Sequence, residues 1–338
     1  MSILSPNEAT VKSDRAQWNA HKKEAIKVAN RLLALGLKQR SQNIRNCGNY
    51  IVEHRCPSCG RSHGTTAMLC RDRVCPICSW RLSRRRFAEM KQVTEILRPT
   101  LVALGARASL LTLTLRNCSA DDLPETLSSM SAAWHLVSKQ TIMRRVIGWA
   151  RSLEITYNHR TKTFHPHFHI LLLWNGEADV TGQFNKRICR AWADCLHVDY
   201  NPVIDHREAY VKEVVSETDE VRVGINDDDL TPILLECTKY SMKSTDLPLM
   251  GDEDLQKYLS AIKAVRFVSY GKEIKKARQA LGYADEPSND DIDLYSAPDE
   301  CLCGSEMERV LLKWSGVTGT YEKAPQVIAD AWREAGRL

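Results

Sequence analysis

The segment FHPHFHILLLW, from Phe164 to Trp174, leaves the chain few ways to fold around it. Side chains alternate along a strand, so His165, His167 and His169 fall on one face and Pro166, Phe168 and Ile170 on the other. The apolar run that follows belongs to a buried strand. Two imidazoles two residues apart on a rigid strand can grip one cation, and three on one face are hard to explain as satisfied core histidines. Upstream, Ser152 to Tyr157 reads as another strand, and the short polar connection Asn158–Thr163 makes the two an antiparallel hairpin. A turn about the middle of that connection sets Glu154, the lone charge in its strand, opposite His167 on the same face. Two histidines and one carboxylate leave open positions on a divalent ion, which can polarise a phosphate oxygen.

The remaining pattern mixes helices with strands. Leu111, Leu113 and Leu115 alternate with Thr112 and Thr114 as in a half-buried strand. Helical spacing runs through residues 14–46, through RLSRRRFAEMKQVTEILRPTLVAL with an interruption at Pro99, through 123–150, and around Thr181–Leu196. A strand is expected around Val198–Val203, and an acidic loop over Glu217–Asp229. The expected class is α+β, an antiparallel central sheet with flanking helices plus an N-terminal helical and zinc-binding module. The division expected is 1–46 helical, 47–104 zinc module and basic helix, 105–284 catalytic domain, and 285–338 acidic linker and tail.

Six of the twelve cysteines lie between Cys47 and Cys78. Cys56 and Cys59 form one CxxC pair, Cys75 and Cys78 a second, and 15 residues separate them. Such pairs supply four tetrahedral thiolates to a structural zinc ion. Cys47, His54, His63 and Cys70 leave a second zinc or another ligand set open, whereas Cys301 and Cys303 read as incidental thiols. Directly after the cluster come Arg81, Arg84, Arg85 and Arg86, suited to phosphate contacts. Charge agrees: residues 1–100 carry 19 Lys/Arg against 7 Asp/Glu, although the whole chain is only +5. A basic front section points to a polyanionic partner. No stretch approaches the roughly 18–20 apolar residues of a membrane span, and the first residues lack the order of a secretion signal, so a cytoplasmic protein with no membrane partner is expected.

Thr231 and Pro232 read as the cap and first residue of a helix that stops before Pro248. On it Glu236, Tyr240 and Lys243 make one narrow stripe. A phenol can attack a phosphate, an ammonium can balance its charge, and a carboxylate can activate water or a hydroxyl in a second step.

Together, TLTLRN (112–117), HPHFHILLL (165–173) and KYSMKSTDL (239–247) resemble the replication initiators of rolling-circle plasmids, in the HUH (His-hydrophobe-His) endonuclease superfamily. His167-Phe168-His169 is the HUH element and Tyr240-Ser241-Met242-Lys243 the YxxK element. The resemblance implies an antiparallel sheet carrying the histidine pair, with the tyrosine helix laid across it. It implies Mg²⁺ or Mn²⁺ held by His167, His169 and Glu154, and cleavage by Tyr240 that keeps the 5′ phosphate and frees a priming 3′ hydroxyl. Glu236 corresponds to an acidic residue used for the terminating cleavage. Single-stranded or hairpin origin DNA is the implied substrate, with a host helicase and polymerase as partners. The alternatives are an HUH transposase or relaxase with the same chemistry, or a zinc-dependent DNA-binding regulator without catalysis.

Overall fold

The computed structural model describes residues 8–176, 179, 182–208, 214–215, 221–222, 227–238, 245–284 and 300–338. In chain order the elements are α1 (Glu8–Ala34), α2 (Lys38–Asn46), β1 (Tyr50–Arg55), β2 (Ser62–Ala67), α3 (Pro76–Ala103), β3 (Arg107–Thr114) and α4 (Leu123–Val137). Then follow β4 (Val146–Asn158), β5 (Thr163–Trp174), α5 (Gly182–Leu196), β6 (Ile204–Glu208), β7 (Val214–Val215), β8 (Val221–Arg222) and α6 (Asp227–Thr238). The chain closes with α7 (Asp252–Ala261), β9 (Val268–Gly271), α8 (Lys272–Ala280), β10 (Glu308–Ser315), β11 (Thr320–Lys323) and α9 (Gln326–Glu334). The fold is α+β with antiparallel sheets, as expected, and no described helix is long and apolar enough to cross a membrane.

Two compact units form, Met1–Leu82 with Ser288–Leu338, and Ser83–Pro287. In the first, the sheet order is β11-β10-β1-β2, so residues expected as a tail supply two of its four strands. One face of that sheet packs Val52 and Leu311 with Ala324 and Ala329, and Trp332 tilts against Tyr50. Trp18 of α1 is fully buried, edge-on to Trp80 at 5.0 Å and to Tyr321 at 6.3 Å. Lys22, also fully buried, donates to the carbonyls of Arg45 and Cys47 and to Asn49, which fixes the loop after α2. A buried ammonium is tolerated only with its protons matched in this way.

The second unit is built on a sheet of order β6-β3-β5-β4-β9. Strand β5 is central, and its even-numbered side chains are covered: Phe168 meets Trp192 of α5 at 5.8 Å, Trp174 meets Phe184 at 4.9 Å, and Phe164 stacks on Tyr258 of α7. Helix α6 packs against β3, β4 and β5. The β4–β5 turn is held by Asn158, whose side-chain oxygen accepts from the backbone N–H of Arg160 and Thr161, and Lys162 takes a left-handed φ of 53°.

Four local expectations are corrected. Strand β4 begins at Val146, inside the span read as helical, because Val146, Ala150 and Leu153 bury against the sheet. The strand expected at Val198–Val203 is β6, Ile204–Glu208, paired with β3. Pro99 does not interrupt α3, since it is exposed and the carbonyl it strands, that of Glu95, belongs to an exposed residue that water can reach. Helix α6 starts at Asp227 rather than at Thr231, with Pro232 inside it, because Leu230, Ile233, Leu234 and Cys237 form one buried stripe that extends it upstream.

Gly271 faces Trp149 so closely that an added Cβ would overlap the indole ring. Gly271→Ala is therefore expected to destabilise the second unit by about 1–3 kcal/mol, the cost of displacing a packed side chain. A urea unfolding midpoint equal to that of the parent protein would contradict this.

Candidate functional site

Register places the acidic and basic groups. Glu154 of β4 pairs with His167 of β5, as the hairpin reading placed it, while His169 pairs with Ser152 on one side and Thr112 on the other. The Nε2 atoms of His167 and His169 stand 3.3 Å and 3.0 Å from Glu154 Oε2, and the rings lie at 88° to each other. These three donors form a group able to hold one ion. Their side chains are only 12–14% exposed.

The far sides of both rings are anchored. His167 Nδ1 faces the carbonyl of His165 at 3.2 Å, and His169 Nδ1 meets the Thr112 hydroxyl at 3.3 Å. The carbonyl of His165 can accept a proton carried on His167 Nδ1, the tautomer that leaves Nε2 free to ligate an ion. Burial pushes the Glu154 carboxyl up, but hydrogen bonds and charge from His167 and His169 outweigh it and hold the group well below the usual carboxylate range. Two imidazoles with a carboxylate are a donor set suited to a divalent ion. His165 tilts against His167 at 5.3 Å but lies outside the group of three; burial first, and the charge of His167 second, lower its pKa.

Helix α6 packs against this sheet. Glu236, half-buried, lies near its C-terminal end, and Cys237 is buried beside the main chain of Leu171. Tyr240 and Lys243 lie outside the described residues, which stop at Thr238 before resuming at Thr245.

The expected zinc ligands divide between two clusters. Cys75 and Cys78 join Cys47 and Cys70, whereas Cys56 and Cys59 join Cys301 and Cys303. In the first, Cys78 Sγ is 3.6 Å from Cys47 Sγ and 3.7 Å from Cys70 Sγ. The backbone N–H groups of Cys70 and Arg71 point at Cys47 Sγ and Cys78 Sγ, as they do around a thiolate–metal centre. Either cluster could hold zinc. A single site from both CxxC pairs is not formed, because the β1–β2 hairpin carries Cys56 and Cys59 away from the start of α3. Cys47 and Cys70 were visible as spare ligands, while Cys301 and Cys303 gave only a CxC with no neighbouring pair.

Of the four arginines, only Arg84 is exposed. Arg81 lies over the rings of Trp18 at 5.6 Å and Trp80 at 5.9 Å. Arg85 donates to Glu89 at 2.6 Å, and Arg86 is buried. Glu89 also accepts from the buried Arg278 at 2.9 Å, so part of the basic run serves an internal ion-pair network.

Comparison with known proteins adds the following. The model of the Rep_1 family, described as "Replication protein", matches residues 62–322. The chain is 27% identical to a "Protein rep" of Bacillus amyloliquefaciens over 90% of its own length and 93% of that relative. It is 27% identical to a "Protein rep" of Lactiplantibacillus plantarum, over 88% of its own length and 92% of the relative. A "Protein rep" of Streptococcus pneumoniae is 24% identical over 90% of this chain and 91% of the relative. No solved structure matches the chain significantly.

Proposed function

Since the chain belongs to the Rep_1 family of replication proteins, we propose that it is a replication initiator that nicks and rejoins one strand of single-stranded or hairpin origin DNA, as rolling-circle plasmids require. The observation that carries the reading is the convergence of His167 Nε2, His169 Nε2 and the Glu154 carboxylate on the sheet against which α6 packs. Helix α6 leads directly into Tyr240.

The Tyr240 phenol oxygen attacks the scissile phosphorus as the bond to the 3′ oxygen breaks. The phenol loses its proton and the departing 3′ oxygen gains one, leaving a 5′-phosphotyrosine and a free 3′ hydroxyl. Lys243 offsets charge on the phosphate. Glu154, His167 and His169 would hold Mg²⁺ or Mn²⁺, which when bound draws charge from a non-bridging phosphate oxygen. The freed 3′ end primes a host polymerase while a host helicase opens the duplex. Glu236 then removes a proton from the water or 3′ hydroxyl that attacks the phosphotyrosine; the bond from phosphorus to the Tyr240 oxygen breaks and the phenol regains its proton, so that water releases the strand and a 3′ hydroxyl rejoins it.

Incubation with single-stranded origin oligonucleotides and Mn²⁺ or Mg²⁺ is expected to give a protein–DNA adduct on a denaturing gel, absent in Tyr240→Phe. An adduct that persists in that variant would refute the assignment of the nucleophile. In Glu236→Ala the first cut is expected at the parent rate, with release by hydrolysis lost; failure of the first cut itself would contradict the terminating role.

A further inference from the structure

Cys56 and Cys59 lie in the turn between β1 and β2, and their partners come from the far end of the sequence, with Cys56 and Cys303 247 positions apart. Cys56 Sγ is 3.4 Å from Cys303 Sγ, and Cys59 Sγ is 3.6 Å from Cys301 Sγ. All four sulfurs fall within 4.8 Å of one another. Around a tetrahedral zinc with bonds of about 2.3 Å, neighbouring sulfurs sit roughly 3.8 Å apart. The separations here are close to that edge and match those in the cluster of Cys47, Cys70, Cys75 and Cys78.

The backbone is shaped to the same end. The N–H of Cys59 points at Cys56 Sγ at 3.4 Å, and the N–H of Gly60, with a φ of +72°, bonds the carbonyl of Cys56. On the other side the N–H of Gly304, with a φ of +80°, bonds the carbonyl of Cys301 at 2.8 Å. Each is a tight knuckle closed by a glycine in the left-handed region, where a side chain would be strained. The Ser305 hydroxyl donates to that of Ser58 at 2.7 Å and joins the knuckles.

We propose that Cys56, Cys59, Cys301 and Cys303 bind a second zinc ion, separate from the one suited to Cys47, Cys70, Cys75 and Cys78. It clasps the start of the β10–β11 hairpin to the β1–β2 hairpin, completing a sheet whose strands are far apart in sequence. Closing so long a loop removes much freedom from the unfolded chain, and the core beside it is small. Cys59 and Cys303 are exposed, while three of the four cysteines in the other cluster are buried, so this second ion is the more accessible to chelators.

The test is zinc content of the full chain purified in reductant, by elemental analysis, with native thiol alkylation mapped by mass spectrometry. The wild-type protein is expected to hold two zinc ions per chain, and Cys301→Ser/Cys303→Ser half as much. Brief chelation of wild-type protein, which needs no variant to fold, is expected to release one ion and expose Cys56, Cys59, Cys301 and Cys303 to alkylation before the other four. One zinc in the wild-type protein, disulfides between these cysteines without metal, or first labelling of Cys47, Cys70, Cys75 and Cys78 would each overturn the proposal. Neither readout depends on strand cleavage, so the nicking reading stands or falls separately.

Discussion

His169→Ala is expected to slow strand cleavage by on the order of a thousandfold, which corresponds to about 4 kcal/mol of lost transition-state stabilisation. The ring supplies one of three groups that converge on a single point, and it cannot be replaced by a neighbour: His165 lies outside that group and Thr112 meets only the far side of the ring. Removing it leaves the Glu154 carboxylate facing one imidazole, so the divalent ion proposed for this site would lose one of its three ligands. The side chain is only 14% exposed, so His169→Gln, which keeps much of the volume while removing the imidazole, controls for the packing that alanine takes away. The rate is read by single-turnover cleavage of an origin oligonucleotide. Activity within tenfold of the parent, at equal thermal stability, would remove the histidines from the chemistry.

Cys78→Ser is expected to have the larger structural effect. Cys78 Sγ touches both Cys47 Sγ and Cys70 Sγ and accepts from the Arg71 backbone, so it lies at the middle of its cluster. Structural zinc contributes apparent binding energies of about 10–16 kcal/mol, against roughly 5–15 kcal/mol for the net stability of a whole domain. Loss of the ion should therefore unfold the unit made of Met1–Leu82 and Ser288–Leu338, while the unit Ser83–Pro287 keeps its own sheet and core. Limited proteolysis resolves the two: cuts are expected early in residues 8–70 and 300–338, with β3, β4 and β5 protected. Equal protease resistance of variant and parent would show that this cluster is not what holds the unit together.

How much of this was legible in the sequence depended on how local the determining contacts are. The Glu154–His167 pairing could be read because the two strands are joined by a short polar turn that fixes their register. The cysteine partition could not, because nothing local in a CxC at Cys301 and Cys303 announces a partner more than two hundred positions upstream. The pairing of Arg85 was hidden for a similar reason: Glu89, four residues on, also takes Arg278, which lies far along the chain on α8. The beginning of α6 was missed because Thr231-Pro232 is a strong start signal, and burial of Leu230 overrode it.

The pairing of β1 with β10 also sets a timetable for synthesis. Tyr50 to Arg55 find their partners in Glu308 to Lys313, so the first sheet cannot be assembled until about 250 further residues have been made. At about 5–20 residues per second that is a delay of tens of seconds, during which residues 83–287 emerge and can fold on their own. A nascent chain stalled before Glu308 would thus carry a folded second unit and an unfinished first one, exposed to chaperones and proteases until β10 and β11 leave the ribosome.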